Sequence, residues 1–165
     1  PSAKQVIDQV VRANVRRLKD YGLSFDLQLF PAQMEDGLQL VGENPETNFI
    51  LTHCGMLTDS GTATVDAWKE GLRTLAQAPN LYAKMSGLGT FVHRNDPALI
   101  AQIYAAAIDI LGSDRLMFGS NFPIEKLWTS HASLIAAHRA AVAQRSLADQ
   151  VNIFWNTAQR VYRID

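Results

Sequence analysis

The run Phe49-Ile50-Leu51-Thr52, halted at His53-Cys54-Gly55, constrains the fold of this chain more than any other stretch. It follows a turn signal at Asn44-Pro45 and gives way to a glycine. Such a short apolar run reads as a buried strand of a parallel sheet. The histidine then emerges at the sheet's carboxyl edge, where α/β folds bind their ligands. Two more runs end in the same way. Leu81-Tyr82-Ala83-Lys84-Met85-Ser86 stops at Gly87, and Leu116-Met117-Phe118 stops at Gly119-Ser120-Asn121. An earlier strand, about Ser24–Leu29, carries Asp26 and Gln28 at alternate positions and hence on one face.

Segments of helical period separate these strands. Residues 3–20 carry Ala3, Val6, Ile7, Val10, Val11, Ala13 and Leu18 among charges, with Gly22 as a stop. Pro31 opens a helix that ends near Gly42, and Val65, Trp68, Leu72, Leu75 and Ala76 share a face of the next. Asp96-Pro97 caps a helix in which Ile100, Ile103, Tyr104, Ala107, Ile108 and Leu111 keep a 3.6-residue period. Two further helices are expected, from Trp128 to about Val142 and from about Leu147 to Val161, with Gln144-Arg145-Ser146 as the break. Alternating β and α implies an α/β fold with a parallel sheet and right-handed crossovers. Four strands suit an open sheet or half of a (β/α) barrel, because a whole barrel takes about 250 residues. Residues 1–165 then form one domain. Two strand edges lack neighbours, and proteins cover or pair such edges. A homodimer or a missing amino-terminal half-barrel is the expected partner.

Composition narrows the function. Charged residues make up 19% of the chain, the net charge is −1, and no block of like charge occurs. A nucleic-acid surface needs clustered Lys and Arg and is not expected. No run approaches the roughly 20 apolar residues of a membrane span. The single cysteine excludes an internal disulfide and fits a reducing compartment. A cytoplasmic protein acting on a small molecule is the expectation.

The candidate site gathers at the strand ends. His53 is suited to polarising a carbonyl or to ligating a divalent metal; a strand-end histidine bonded to backbone is the plainer reading. Asp26 and Gln28 share a face that suits the lumen mouth and substrate hydrogen bonds. Lys84 and Ser86 share another: the lysine either holds a substrate carboxylate or pairs with Asp26 across the lumen. Asn121 orients a carbonyl or a water, or simply makes the turn before Phe122-Pro123; Ser120 and Glu125 are weaker candidates on that loop. Cys54 is an unlikely partner for its neighbour His53, since adjacent strand residues point to opposite faces. His131 and His138 are seven apart and read as helix-to-sheet packing rather than metal ligands. His93 falls in a loop after Val92, as a rim residue. Ser86-Gly87-Leu88-Gly89 lacks the full dinucleotide fingerprint and carries little weight as a phosphate loop.

Thr52-His53-Cys54-Gly55, Lys84-Met85-Ser86-Gly87 and Arg115-Leu116-Met117-Phe118-Gly119-Ser120-Asn121-Phe122-Pro123 together resemble the carboxyl-terminal half of the amidohydrolase-2 family. That TIM-barrel group includes lactonases acting on pyrones and sugar lactones. The resemblance extends from Gly22-Leu23-Ser24-Phe25-Asp26-Leu27-Gln28 to Asn156-Thr157-Ala158-Gln159-Arg160-Val161-Tyr162 and covers nearly the whole chain. It implies that the four strands are the fifth to eighth of a barrel. The first-strand His-x-His pair of the family has no counterpart here, and the eighth-strand aspartate falls at Asn121. Asparagine is neither a general base nor a good metal ligand.

The resemblance therefore implies a metal-dependent-type hydrolase of lactones or related carboxylic esters and amides. His53 polarises the carbonyl, Asp26, Gln28, Lys84 and Ser86 bind substrate, and Asn121 occupies the base position. The cofactor is either none or a divalent ion, zinc or manganese, with His53 as its ligand. A non-catalytic half-barrel scaffold, or a half-enzyme completed by another chain, stands as the alternative.

Overall fold

The computed structural model describes residues 8–164. Ala3, Val6 and Ile7 of the first helical stretch lie outside the described residues. Helix α1 (Gln9–Arg16) begins at Asp8, whose carboxylate accepts from the Val10 and Val11 amides. Strand β1 (Phe25–Leu27) leads through a 3₁₀ turn at Pro31–Gln33 into α2 (Met34–Gly42). Strand β2 (Phe49–Leu51), helix α3 (Thr62–Leu75), strand β3 (Leu81–Met85), helix α4 (Pro97–Leu111) and strand β4 (Leu116–Phe118) follow. Helix α5 (His131–Val142) starts at the Ser130 cap. Helix α6 (Leu147–Val151) then passes through a π turn at Asn152–Asn156 into α7 (Thr157–Tyr162).

The expected elements are present, with shorter strands. Strand β1 spans three residues, not Ser24–Leu29, and β2 ends at Leu51, two residues before His53. The expected helix from Trp128 starts at His131 instead, because a 3₁₀ turn over Ile124–Leu127 and the Ser130 cap take up the residues before it. Asp96 caps α4 as read, accepting from the Leu99 amide at 3.1 Å.

All four strands pair in parallel, in the order β1-β2-β3-β4. A sheet that never reverses its strand order keeps right-handed crossovers, and so its helices, on one side. This is the arrangement of half a (β/α) barrel. On the outer face, Phe49, Leu51, Leu81, Ala83, Met85 and Leu116 form one core with Val65, Trp68, Leu72 and Leu75 of α3 and Ile100, Ile103, Tyr104 and Ala107 of α4. Beneath the sheet, the Asn80 amide donates to the carbonyls of Val41, Asn44 and Thr47, and Arg115 reaches those of Ala76 and Ala78.

The inner face carries Asp26, Ile50, Tyr82, Lys84 and Met117, the residues alternate to the outer set. A closed barrel would bury this face in its lumen; here the carboxyl-terminal helix covers part of it. Ile153 and Phe154 join the outer core, while Val161 packs with Ile50 and Met117, flanked by Tyr82 and Ala158. The helix thus straddles β4. Among the described residues no helix is long and apolar enough to cross a membrane.

The paired histidines of α5 part company. His138 is buried, its Nδ1 2.9 Å from the Tyr104 hydroxyl and its ring edge-on to Phe118 at 5.0 Å. Burial pushes its pKa down to about 4. His131, expected to pack in the same stripe, is exposed at the first residue of α5, with its ring edge-on to Phe122 at 4.8 Å.

Two predictions follow from this packing. Val161→Asp places an unpaired carboxylate at a position 1% exposed, so the unfolding free energy from urea titration should fall by well over the about 0.5 kcal/mol of a surface change. A neutral result would mean that α7 does not cover the sheet. For His138, the folded pKa lies below the ordinary 6.5, so the unfolded chain takes up the proton first as pH falls. Its contribution is absent above 6.5 and lowers stability from 6.5 towards 4, by up to about 1.4 kcal/mol per pH unit. Denaturation midpoints across that range should slope less in His138→Gln; equal slopes would rule out a neutral buried ring.

Candidate functional site

His53 stands at the carboxyl edge because the backbone turns left-handed immediately after β2. His53, Cys54, Gly55 and Met56 take φ values of 52°, 48°, 86° and 50°. Each non-glycine in that region costs roughly 1–2 kcal/mol, so the surroundings must hold the turn in place. The Trp68 indole donates to the Cys54 carbonyl at 2.6 Å, and Gly55 N–H to that of Thr52 at 3.1 Å. At Gly55 a Cβ would collide with the Met34 methyl. These contacts tie the turn to α3 and α2. His53 and Cys54 are therefore not strand neighbours, as the sequence reading assumed, but they still diverge. Cys54 is buried on the helix side, and burial pushes its thiol up to about 12, which excludes a nucleophilic pair.

The His53 ring is half-buried, with Nδ1 3.0 Å from the Ser86 hydroxyl. Gly87, at φ 63°, lies against it; a Cβ there would sit 2.5 Å from Nδ1. Burial first, and then the positive charge of Lys84, lower the His53 pKa from 6.5, which keeps the imidazole neutral at pH 7.

Asp26 and Lys84 meet across the inner face at 3.0 Å, the pairing raised as one alternative for this lysine. Tyr162 completes the group: its hydroxyl donates to Asp26 at 2.8 Å, and the Lys84 ammonium lies 5.1 Å from its ring centroid. Burial lowers the Lys84 pKa, but hydrogen bonds to Tyr162 and Asp26 outweigh it and hold the value above 10.5. Lys84 is thus an internally compensated cation. Gln28 is exposed and lies 3.6 Å from the Met56 sulfur.

Asn121 belongs to a second cluster at the same rim. Its Nδ2 donates to Thr90 Oγ1 and to Glu125 Oε1, each at 3.3 Å, while Thr90 donates to the same Oε1 at 3.4 Å. Trp128 Nε1 donates to Glu125 Oε2 at 2.6 Å. Glu125 is 1% exposed. The two clusters are joined by one turn, closed by Thr90 N–H to the Gly87 carbonyl at 3.0 Å. Gly87 and Gly89 are small because His53, Glu125 and Trp128 fill the space above them. His93 stacks on Trp128 at 5.5 Å, on the rim as expected.

The sequence singles out Asp26, Gln28, Lys84, His53, Ser86 and Asn121, but not the His53–Ser86 contact. It underweights Glu125 and gives Tyr162, Thr90 and Trp128 no role at the site. Glu125 follows Asn121 by one helical turn, and that spacing was the available signal. A metal does not fit these residues alone. His53 would be one ligand, Asp26 is engaged by Lys84 and Tyr162, and Glu125 is engaged by three donors. Among the described residues no group of three His, Cys, Asp or Glu converges.

Comparison with known proteins identifies the family and the fold. The amidohydrolase family model matches residues 2–164. An uncharacterized protein of Sinorhizobium fredii, y4mH, is 37% identical over 93% of this chain and 51% of its own length. An L-fucono-1,5-lactonase of Burkholderia multivorans is 30% identical over 85% of this chain and 51% of its own length. A crystal structure of a zinc-bound amidohydrolase from Burkholderia multivorans superposes with a TM-score of 0.91 at 26% identity, covering 99% of this chain and 60% of that one. The chain spans about half the length of the curated relatives it matches. On the extent of that match, the chain belongs to the amidohydrolase family.

Proposed function

We propose that this chain supplies the carbonyl-activating side of a hydrolase that opens a lactone or a related carboxylic ester or amide. Its family membership and its similarity to an L-fucono-1,5-lactonase support the reaction class. One observation carries the role of His53: a neutral, half-buried imidazole held through Nδ1 by Ser86 at the sheet's carboxyl edge. When Ser86 donates to Nδ1, the ring proton resides on Nε2 and points to the mouth. There it hydrogen-bonds the carbonyl oxygen and stabilises the charge that develops as a nucleophile adds. Asp26, fixed by Lys84 and Tyr162, and Gln28 accept or donate to substrate hydroxyls. Asn121 orients the attacking water.

A zinc-bound relative is known, but here His53 would be one ligand and no group of three ligands converges among the described residues, so no step is routed through an ion.

The second reading is a half-barrel completed by another subunit or segment. The strand edges of β1 and β4 and the half-length match favour it. Light scattering tests it: a second copy gives a dimer of this chain, and a monomer inert towards lactones points to a separate amino-terminal half.

His53→Ala should lower kcat for L-fucono-1,5-lactone by roughly 10²–10³-fold, the range for loss of one oxyanion donor. The pH profile has a definite sign. The His53 pKa is depressed, so the neutral ring persists above that lowered value and is lost as pH falls through it. Activity should be level near pH 7 and decline on the acid side, with a midpoint below 6.5. Activity that rises on acidification would instead assign the work to an imidazolium.

A further inference from the structure

Glu125 is a buried acid held by side-chain donors. It is 1% exposed and makes no ion pair among the described residues. A carboxylate in that setting is costly unless donors surround it, and a leucine or glutamine would fill the space more cheaply. Three donors do surround it: Trp128 Nε1 on Oε2, and Thr90 Oγ1 and Asn121 Nδ2 on Oε1. Backbone geometry builds the same enclosure. Glu125 N–H donates to the Asn121 carbonyl at 3.2 Å, and Asn121 holds φ at 52°. Gly89 leaves the necessary room, since a Cβ there would lie 2.7 Å from Oε2.

We propose that Glu125 is a positioning residue, whose buried carboxylate fixes the Asn121 side-chain amide with its carbonyl oxygen turned to the mouth. The polarity follows from the donors and acceptors. Both Glu125 oxygens act as acceptors, and Thr90 spends its single proton on Oε1, so both neighbours of Asn121 demand the NH₂ end. Rotating the amide by half a turn would set Oδ1 against two acceptors. Oδ1 is therefore the end left without a protein partner among the described residues. It is an acceptor for a water or a ligand hydroxyl, and it cannot remove their proton. The kinetic part of this inference rests on the hydrolase reading given above; the structural part does not.

The test uses the full chain, ¹⁵N-labelled, with Asn121→Asp to assign the Asn121 NH₂ resonances by their disappearance. Glu125→Gln keeps the size but turns an NH₂ group towards Asn121 or Trp128. The Asn121 resonances should shift and exchange faster with water. In a chain active on L-fucono-1,5-lactone, kcat should fall roughly 10–100-fold with KM little changed, as for a displaced positioning group. Unmoved resonances overturn the inference, whether or not the chain is active. So do shifted resonances with unchanged kcat, which would leave Glu125 a packing residue. Shifted resonances in a chain whose wild type hydrolyses nothing support the amide orientation and count against the hydrolase reading instead. If Glu125→Gln fails to fold, Thr90→Val removes one of the two contacts on the NH₂ group and leaves Trp128 on the carboxylate. A smaller shift in the same resonances is then expected, and its absence overturns the proposal.

Discussion

The hydrogen bond from the Trp68 indole to the Cys54 carbonyl is the contact on which the mouth depends. Four successive left-handed residues would relax if they were left alone. Here a buried donor from α3 holds the second of them, and Met34 closes against the third. The strain buys a direction: the chain leaves β2 so that His53 faces Ser86 while Cys54 turns into the helical layer. Without that turn a strand ending in histidine would send the ring elsewhere. Backbone strain of this kind concentrates where a side chain has to be aimed.

The two faces of the sheet divide the labour. The outer face is a conventional apolar core, built around Trp68, Tyr104 and the alternating residues of β2 and β3. The inner face is mixed. Ile50 and Met117 are covered by Val161, whereas Asp26, Lys84 and Tyr162 form a polar group beside them. Compensation of charge within that group leaves His53 the neutral hydrogen-bonding element at the rim. Lys84 is therefore not a free cation at the rim.

Much of this was legible in the residues, for identifiable reasons. Parallel strands buried on the helix side read as unbroken apolar runs, and Asp96-Pro97 and Pro31 mark helix starts by mechanisms that act locally. The Asp26–Lys84 pair was also accessible, because strand alternation puts both on the same face. Local patterns do not encode what depends on distant contacts. The left-handed turn at His53 is imposed by Trp68 and Met34, fourteen and more residues away. The burial of Glu125 depends on Thr90 and Trp128, and Tyr162 reaches Asp26 across 136 residues of chain. His131 and His138 illustrate the same limit: identical residues on one helix differ because one lies at its first turn and the other against Tyr104 and Phe118.

Each strand of this sheet pairs only with its neighbours in sequence. The cross-links beneath it, from Asn80 to the β1–β2 side and from Arg115 to the end of α3, also join adjacent units. A cylinder assembled in this way can be parted lengthwise along two seams without breaking a strand pairing inside either piece. Each piece then keeps its own core and loses only what crosses the seams. A rim whose chemistry draws on both pieces is then what such a parting divides.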